Sequence, residues 1–213
     1  MAYVSVPNTY RHYGVVEGDI GPDIVDFAHR VGITACDIET TGLTPGIDRL
    51  ATFQLFMPND VALVVRPGSH PPTNLIKLLQ SPGVTKVFHH ATFDLTFTFA
   101  TWRVLAASVF CTKIASKVLE PHRTDHSLKT LLAKYFGVHI SKAQRVSDWS
   151  APVLSREQVE YALNDVIYLP SLIGRLSSEL VQQGRWNLAL SSFQYLPTRV
   201  ALDVLGSGDV FKY

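Results

Sequence analysis

The sequence predicts an α/β fold, a mixed β-sheet flanked by α-helices. Three observations lead there. The first third carries short β-branched apolar runs separated by turn formers, the middle alternates a short strand with helical periodicity, and the last third is mostly helical. With 213 residues, 46% of them apolar, the chain is long enough to bury a core as one domain, 1–213.

Residues 7–22 contain Pro7, Asn8, Gly14, Gly18, Gly21 and Pro22, which predict one or two loose strands before a short helix capped by Asp23. Ile33 to Ile38 forms a buried strand, and Thr40 to Gly46 a turn. Leu50 to Met57 and Val61 to Arg66 make an antiparallel hairpin around Pro58-Asn59-Asp60. From Pro71 the period changes, and Leu75, Leu78 and Leu79 fit a helix that stops near Pro82-Gly83. A short strand follows at Lys86 to His89, then a helix from Phe93 to Trp102 and a last strand at Val109 to Cys111. Further helices are predicted over Thr112 to Leu119, Ser127 to Phe136 with Gly137 as the stop, and Ser155 to Tyr168, which opens on a Ser-x-x-Gln capping pattern.

Cys36 and Cys111 show no metal-ligand spacing and cannot build a disulfide framework, so a reduced, cytoplasmic protein is expected. No apolar run reaches the roughly 18 residues of a membrane span, and no membrane partner is expected. A net charge of +1 does not favour gripping long nucleic acid through many phosphates. The charge is uneven, since Arg103 to Arg145 holds eight Lys/Arg against Glu120 and Asp125. That stretch is either a solvated helical face or a local anion-facing wall.

The stretch ACDIETTGL, residues 35–43, places two acids in an apolar strand. Side chains two apart on a strand share a face, so Asp37 and Glu39 project together. Paired, partly buried anions need a nearby cation or a solvated strand end, and an oxygen-loving divalent metal would neutralise them. Alone, such a pair more often simply ends the strand and caps the turn. In KVFHHATFDLTFTF, however, Asp94 opens a helix directly after a strand, and in EQVEYALNDVIYL, Tyr161 and Asp165 are spaced i, i+4 on one helix face. Four acids on three elements with an aligned Tyr suit two-metal phosphodiester hydrolysis, with Tyr161 orienting or helping to deprotonate the attacking water.

DIETTGL, FHHATFD and YALND, in this order, resemble the three motifs of the DEDD exonucleases, in the branch whose third motif is Tyr-x-x-x-Asp. The segment from His126 to Leu169, with its Leu-Lys, Lys-x-x-Gln, Ser-Asp-Trp and Tyr-Ala-x-x-Asp-Val-x-Tyr-Leu elements, is similar to ribonuclease D relatives. FCTKIAS, ISK and the tail FQYLPTRVALDVLGSGDVF resemble the nanoRNase C group, short stand-alone enzymes that cut dinucleotides.

The resemblance implies a ribonuclease H-like fold, two Mg²⁺ or Mn²⁺ ions, and hydrolysis from the 3′ end to nucleoside 5′-monophosphates. Asp37, Glu39 and Asp165 would hold the metals directly, and Asp94 partly through water. Leu43 matches a residue that wedges against terminal bases, or packs in the turn; Thr40 would meet the 3′-terminal nucleotide or cap the turn. Lys113, Lys142, Gln144 and Arg145 are candidate phosphate contacts, or solvated surface. His89 matches a position beside the site, where a hydrogen-bonded structural role competes with substrate contact.

His90-Ala91-Thr92 departs from the group's Phe-Gly-Arg, and residues 1–30 match poorly and are treated as an N-terminal extension. The expected substrate is a dinucleotide or short RNA, possibly DNA. The resemblance also implies a homo-oligomer, an octamer as in the group, with 185–213 as a C-terminal tail available for subunit contacts. A broader ribonuclease D-like exonuclease acting on structured RNA ends or DNA, and an inactive nucleic-acid-binding module on the same fold, are the alternatives.

Overall fold

Sheet order is what brings the distant acids to one place. The computed structural model describes residues 10–140 and 147–212. Its strands are β1 (His12–Glu17), β2 (Ile33–Thr40), β3 (Leu50–Met57), β4 (Val61–Arg66), β5 (Thr85–Phe88) and β6 (Val109–Cys111). They form a six-stranded sheet in the order β1-β4-β3-β2-β5-β6. Only β3 runs antiparallel to its neighbours. The C-terminal ends of the other strands therefore share one edge, where β2 carries its acids and where α/β sheets present their sites.

The helices are α1 (Pro22–Val31), α2 (Thr73–Gln80), α3 (Ala91–Trp102), α4 (Thr112–Leu119), α5 (Leu128–Phe136), α6 (Arg156–Asn164), α7 (Leu169–Gln182) and α8 (Trp186–Val204). Trp102 of α3 lies 6.2 Å from Phe53, on the sheet face opposite the acids. Tyr161 and Asp165 approach from α6 on the acid-bearing side. Residues of β3 and β4 are buried almost throughout, as expected of strands covered on both faces. Among the described residues no helix is long and apolar enough to cross a membrane.

The hairpin spans the predicted residues, with Asn59 taking the positive φ (72°) of its turn. Two predictions are corrected. Gly21, not Asp23, is the N-cap of α1, because Pro22 with its fixed φ occupies the first helical position; Asp23 sits in the first turn, 3.4 Å from His12. The helix predicted from Ser155 to Tyr168 ends at Asn164, and a new one starts at Leu169. Pro170 explains the break, since within a continuous helix its ring would clash with the carbonyl of Val166.

Smaller shifts occur at β2, which continues through Thr40, at β5, which ends at Phe88, and at α3, which starts at Ala91 behind His90 in the left-handed region. The first strand and the last helix are integral to the sheet and its cover. β1 pairs with β4, and α8 buries Ala189, Phe193, Leu196 and Val200, with Phe193 stacked 4.8 Å from Phe110 of β6.

Candidate active site

Asp37 and Glu39 stand opposite Gln54 and Thr52 of β3, just before a register shift between Glu39 and Thr40 releases the strand. Asp94 lies in the first turn of α3, immediately beyond β5, and is only 2% exposed. Asp165 is the C-cap of α6 in a helical conformation, and its N–H still reaches the Tyr161 carbonyl at 3.3 Å. The i, i+4 relation to Tyr161 thus survives although the helix has ended.

Ligand oxygens of Asp37, Glu39 and Asp165 lie within 4.8 Å of one another. Asp94 completes the group from the side, buried close enough to Asp37 for the two carboxyls to act on each other. Among the described residues no Lys or Arg forms an ion pair with any of these acids.

The electrostatics follow. Burial, reinforced by Asp94, Asp165 and Glu39, raises the Asp37 carboxyl well above the usual range. Burial and then Asp165 and Asp94 push Glu39 up to about 8. Burial takes Asp94 to about 8, against the pull of its backbone bonds. Asp165 is raised to about 7 by burial, offset in part by a hydrogen bond from Tyr161. Burial and the Asp165 charge also raise the Tyr161 phenol, which stays protonated. Converging hard oxygen donors, with no cationic side chain among the described residues paired with them, fit an oxygen-loving divalent cation.

The turn after β2 is tightly built. Thr40 Oγ1 donates to the Gly42 carbonyl, and Asp48 accepts from Thr44 N–H at 2.8 Å. A Cβ on Gly42 would meet the Asp48 carboxylate at 2.4 Å, so a larger residue there would have to displace Asp48 from the Thr44 N–H. Leu43 at the tip is 81% exposed and does not pack in the turn. His89 Nδ1 lies 2.8 Å from Thr112 Oγ1, whose hydroxyl donates to the Phe88 carbonyl; burial lowers its pKa to about 3, so the ring is neutral.

Lys113, in the first turn of α4, is half-buried close enough to His89 and His90 to disfavour their protonation. Lys142, Gln144 and Arg145 lie outside the described residues. Of the basic run, Arg123 and Lys134 are both paired with Glu120, at 2.5 and 2.7 Å.

Residue-by-residue reading of the sequence gave no role to Trp149, whose ring lies 6.0 Å from that of Tyr161, or to Asp48, which fixes the turn after β2; Gln158 forms the predicted capping box with Ser155 and also holds the Asp148 carbonyl. A buried Trp inside the polar run Ser147-Asp148-Trp149-Ser150 was the available signal.

A model of the 3′-5′ exonuclease family matches residues 23–181. Among solved structures, an apo form of a nuclease is 40% identical and superposes with a TM-score of 0.89 over 95% of this chain and 99% of the other. Brucella melitensis NrnC bound to pGG is 36% identical, with a TM-score of 0.87 over 96% of this chain and 99% of that one. The same protein with bound Mg²⁺ gives a TM-score of 0.85. Ribonuclease D of Gluconacetobacter diazotrophicus is 37% identical over 119 residues, 56% of this chain but 30% of that protein. The match to that protein and to the ribonuclease D of Acidiphilium cryptum covers 30% and 35% of their lengths, about a third. The chain belongs to the 3′-5′ exonuclease family, among the ribonuclease D homologues and close to NrnC.

Proposed function

We propose that this protein is a divalent-metal-dependent 3′-5′ exoribonuclease that hydrolyses dinucleotides or short oligoribonucleotides to nucleoside 5′-monophosphates. The observation that carries the reading is the convergence of the Asp37, Glu39 and Asp165 carboxylates within 4.8 Å, with Asp94 alongside. The likeness to NrnC bound to pGG, over nearly the whole of both chains, supports the short substrate.

Asp37, Glu39 and Asp165 would hold two Mg²⁺ or Mn²⁺ ions, with Asp94 acting partly through water. Bound there, the ions would lower the pKa of water and stabilise charge on the phosphoryl oxygens. Tyr161, held protonated, offers a hydroxyl that orients the attacking water while Asp165 fixes the phenol. The exposed Leu43 abuts the terminal base, and Thr40 meets the 3′-terminal nucleotide. Lys113, Lys142, Gln144 and Arg145 contact phosphates, and His89, neutral and hydrogen-bonded, borders the substrate.

Broader trimming of RNA 3′ ends or DNA is the competing reading, supported by the ribonuclease D relatives. A series of 5′-labelled RNAs and DNAs, from two to about twenty nucleotides with Mn²⁺ and with Mg²⁺, separates them. The dinucleotide should be cut at least about tenfold faster than the longest RNA, a difference of ~1.4 kcal/mol in activation free energy. Equal rates, or preference for the long substrate, would overturn the short-substrate claim. No hydrolysis of any substrate would leave only a binding module.

A further inference from the structure

We propose that Arg66 is a positioning residue for Tyr161, acting through the loop that carries Trp149. The inference rests on the assignment of Tyr161 to the reaction made above.

Arg66 is the last residue of β4 and lies in register with Glu17, the last residue of β1. Its Nη2 donates to the Ala151 carbonyl at 2.7 Å, and its Nη1 to the Pro152 carbonyl at 2.6 Å and to Glu17 Oε1 at 3.0 Å. One planar guanidinium thus grips two successive carbonyls some 85 residues away in sequence and is itself oriented by a carboxylate. Such a fork fixes both the position and the tilt of the peptide it holds. A single ion pair at the surface would fix neither.

The gripped peptide begins two residues beyond Trp149. That indole is only 2% exposed and lies with its ring 6.0 Å from the ring of Tyr161. Its N–H has no acceptor among the described residues, so no hydrogen bond of its own sets the orientation of the ring. Packing and the anchoring of the neighbouring backbone set it instead.

Gln158 supplies one anchor. Its Nε2 donates to the Asp148 carbonyl at 3.0 Å and to Ser147 Oγ at 3.2 Å, and its Oε1 accepts from Ser155 N–H at 2.9 Å. Gln158 rides on α6, as Tyr161 does, so this anchor ties the loop to the helix and moves with it. Arg66 ties the same loop to the sheet that carries Asp37 and Glu39. The clamp therefore sets the distance between the Tyr161 ring and the acid-bearing strand, and a misplacement of about 1 Å in such a group can cost on the order of 10²-fold in rate.

The test is a double-mutant cycle on the short substrate. Arg66→Lys keeps a charge for Glu17 but cannot present two parallel donors to adjacent carbonyls. It should lower kcat roughly tenfold with KM within about twofold, because position rather than ground-state binding is lost. Tyr161→Phe should lower kcat about 10²-fold. The double variant should be no slower than Tyr161→Phe within about twofold, since a residue that acts through Tyr161 has nothing left to act on. Independently of activity, amide exchange at residues 149–151 should accelerate in Arg66→Lys.

Multiplicative losses in the double variant, wild-type kcat in Arg66→Lys, or unchanged exchange would overturn the clamp. Wild-type kcat in Tyr161→Phe would instead overturn the reading on which the clamp rests. If Arg66→Lys does not fold, Trp149→Leu carries the same cycle with the Arg66 grip retained. Its loss of kcat should vanish in the Tyr161→Phe background, and persistence of that loss would sink the proposal.

Discussion

Replacing Asp37 by Asn is expected to lower turnover by on the order of 10³-fold, comparable to removing a main electrostatic contact from a transition state. The same change should raise the melting temperature measured in EDTA by several degrees. Asn keeps the shape of the side chain and one carbonyl oxygen but removes a charge buried against Asp94, Asp165 and Glu39. Without a cation those charges oppose folding, so their loss stabilises. With a cation they would be what holds it, so their loss should disable. A simple folding defect would lower both quantities together. Melting curves in chelator alongside dinucleotide turnover in Mn²⁺ therefore decide the matter, and wild-type turnover, or a lowered melting temperature in EDTA, would refute the assignment.

In chelator, stability is expected to fall as pH rises from about 4 to about 8, and divalent metal should cancel the fall. In the unfolded chain the acids titrate near their ordinary values, about 4. In the folded protein Glu39 and Asp94 are pushed up to about 8 and Asp165 to about 7. Between those limits the folded state holds more protons than the unfolded state, so each increment of pH favours unfolding. The contribution is fully present below the unfolded values and is lost as pH passes through the folded ones. Mn²⁺ takes the place of the protons, so its stabilising effect should be small at pH 5 and large at pH 8. Thermal melts at both pH values, with EDTA and with Mn²⁺, measure it. An equal Mn²⁺ effect at the two pH values would contradict the cradle.

Much of this was legible in the chain because the signals are local. The hairpin of β3 and β4 announces itself by its alternation and by Pro58-Asn59-Asp60, and β6 and α4 fall on their predicted residues. The pairing of Tyr161 with Asp165 was readable from spacing alone, even though the predicted helix was too long. Its earlier end at Asn164 was not readable, because Val166 and Ile167 continue the apolar pattern beyond it.

Asp48, Trp149 and Arg66 were not legible as parts of the site. Arg66 serves backbone carbonyls, which every residue has, and Asp48 serves a backbone N–H, so neither partner leaves a mark in the sequence. The basic run shows the same limit, because only the fold reveals that Arg123 and Lys134 are paired with Glu120 while Lys113 lies beside the histidines.

The acids come from β2, α3 and the end of α6, and this separation along the chain has a kinetic consequence. Asp165 meets Asp37 and Glu39 only after a loop of more than 120 residues has closed, an entropic cost that a partly folded chain has not yet met. The cation site is therefore expected to be finished late, after the rate-limiting barrier to folding. Bound metal should slow unfolding and leave the rate of folding nearly unchanged, as interactions absent from the transition state do. Stopped-flow unfolding and refolding with and without Mn²⁺ would read the two rates separately, and faster refolding in Mn²⁺ would mean the cradle forms early. In a metal-poor solution the chain would still reach its fold at the usual speed but would keep it for a shorter time.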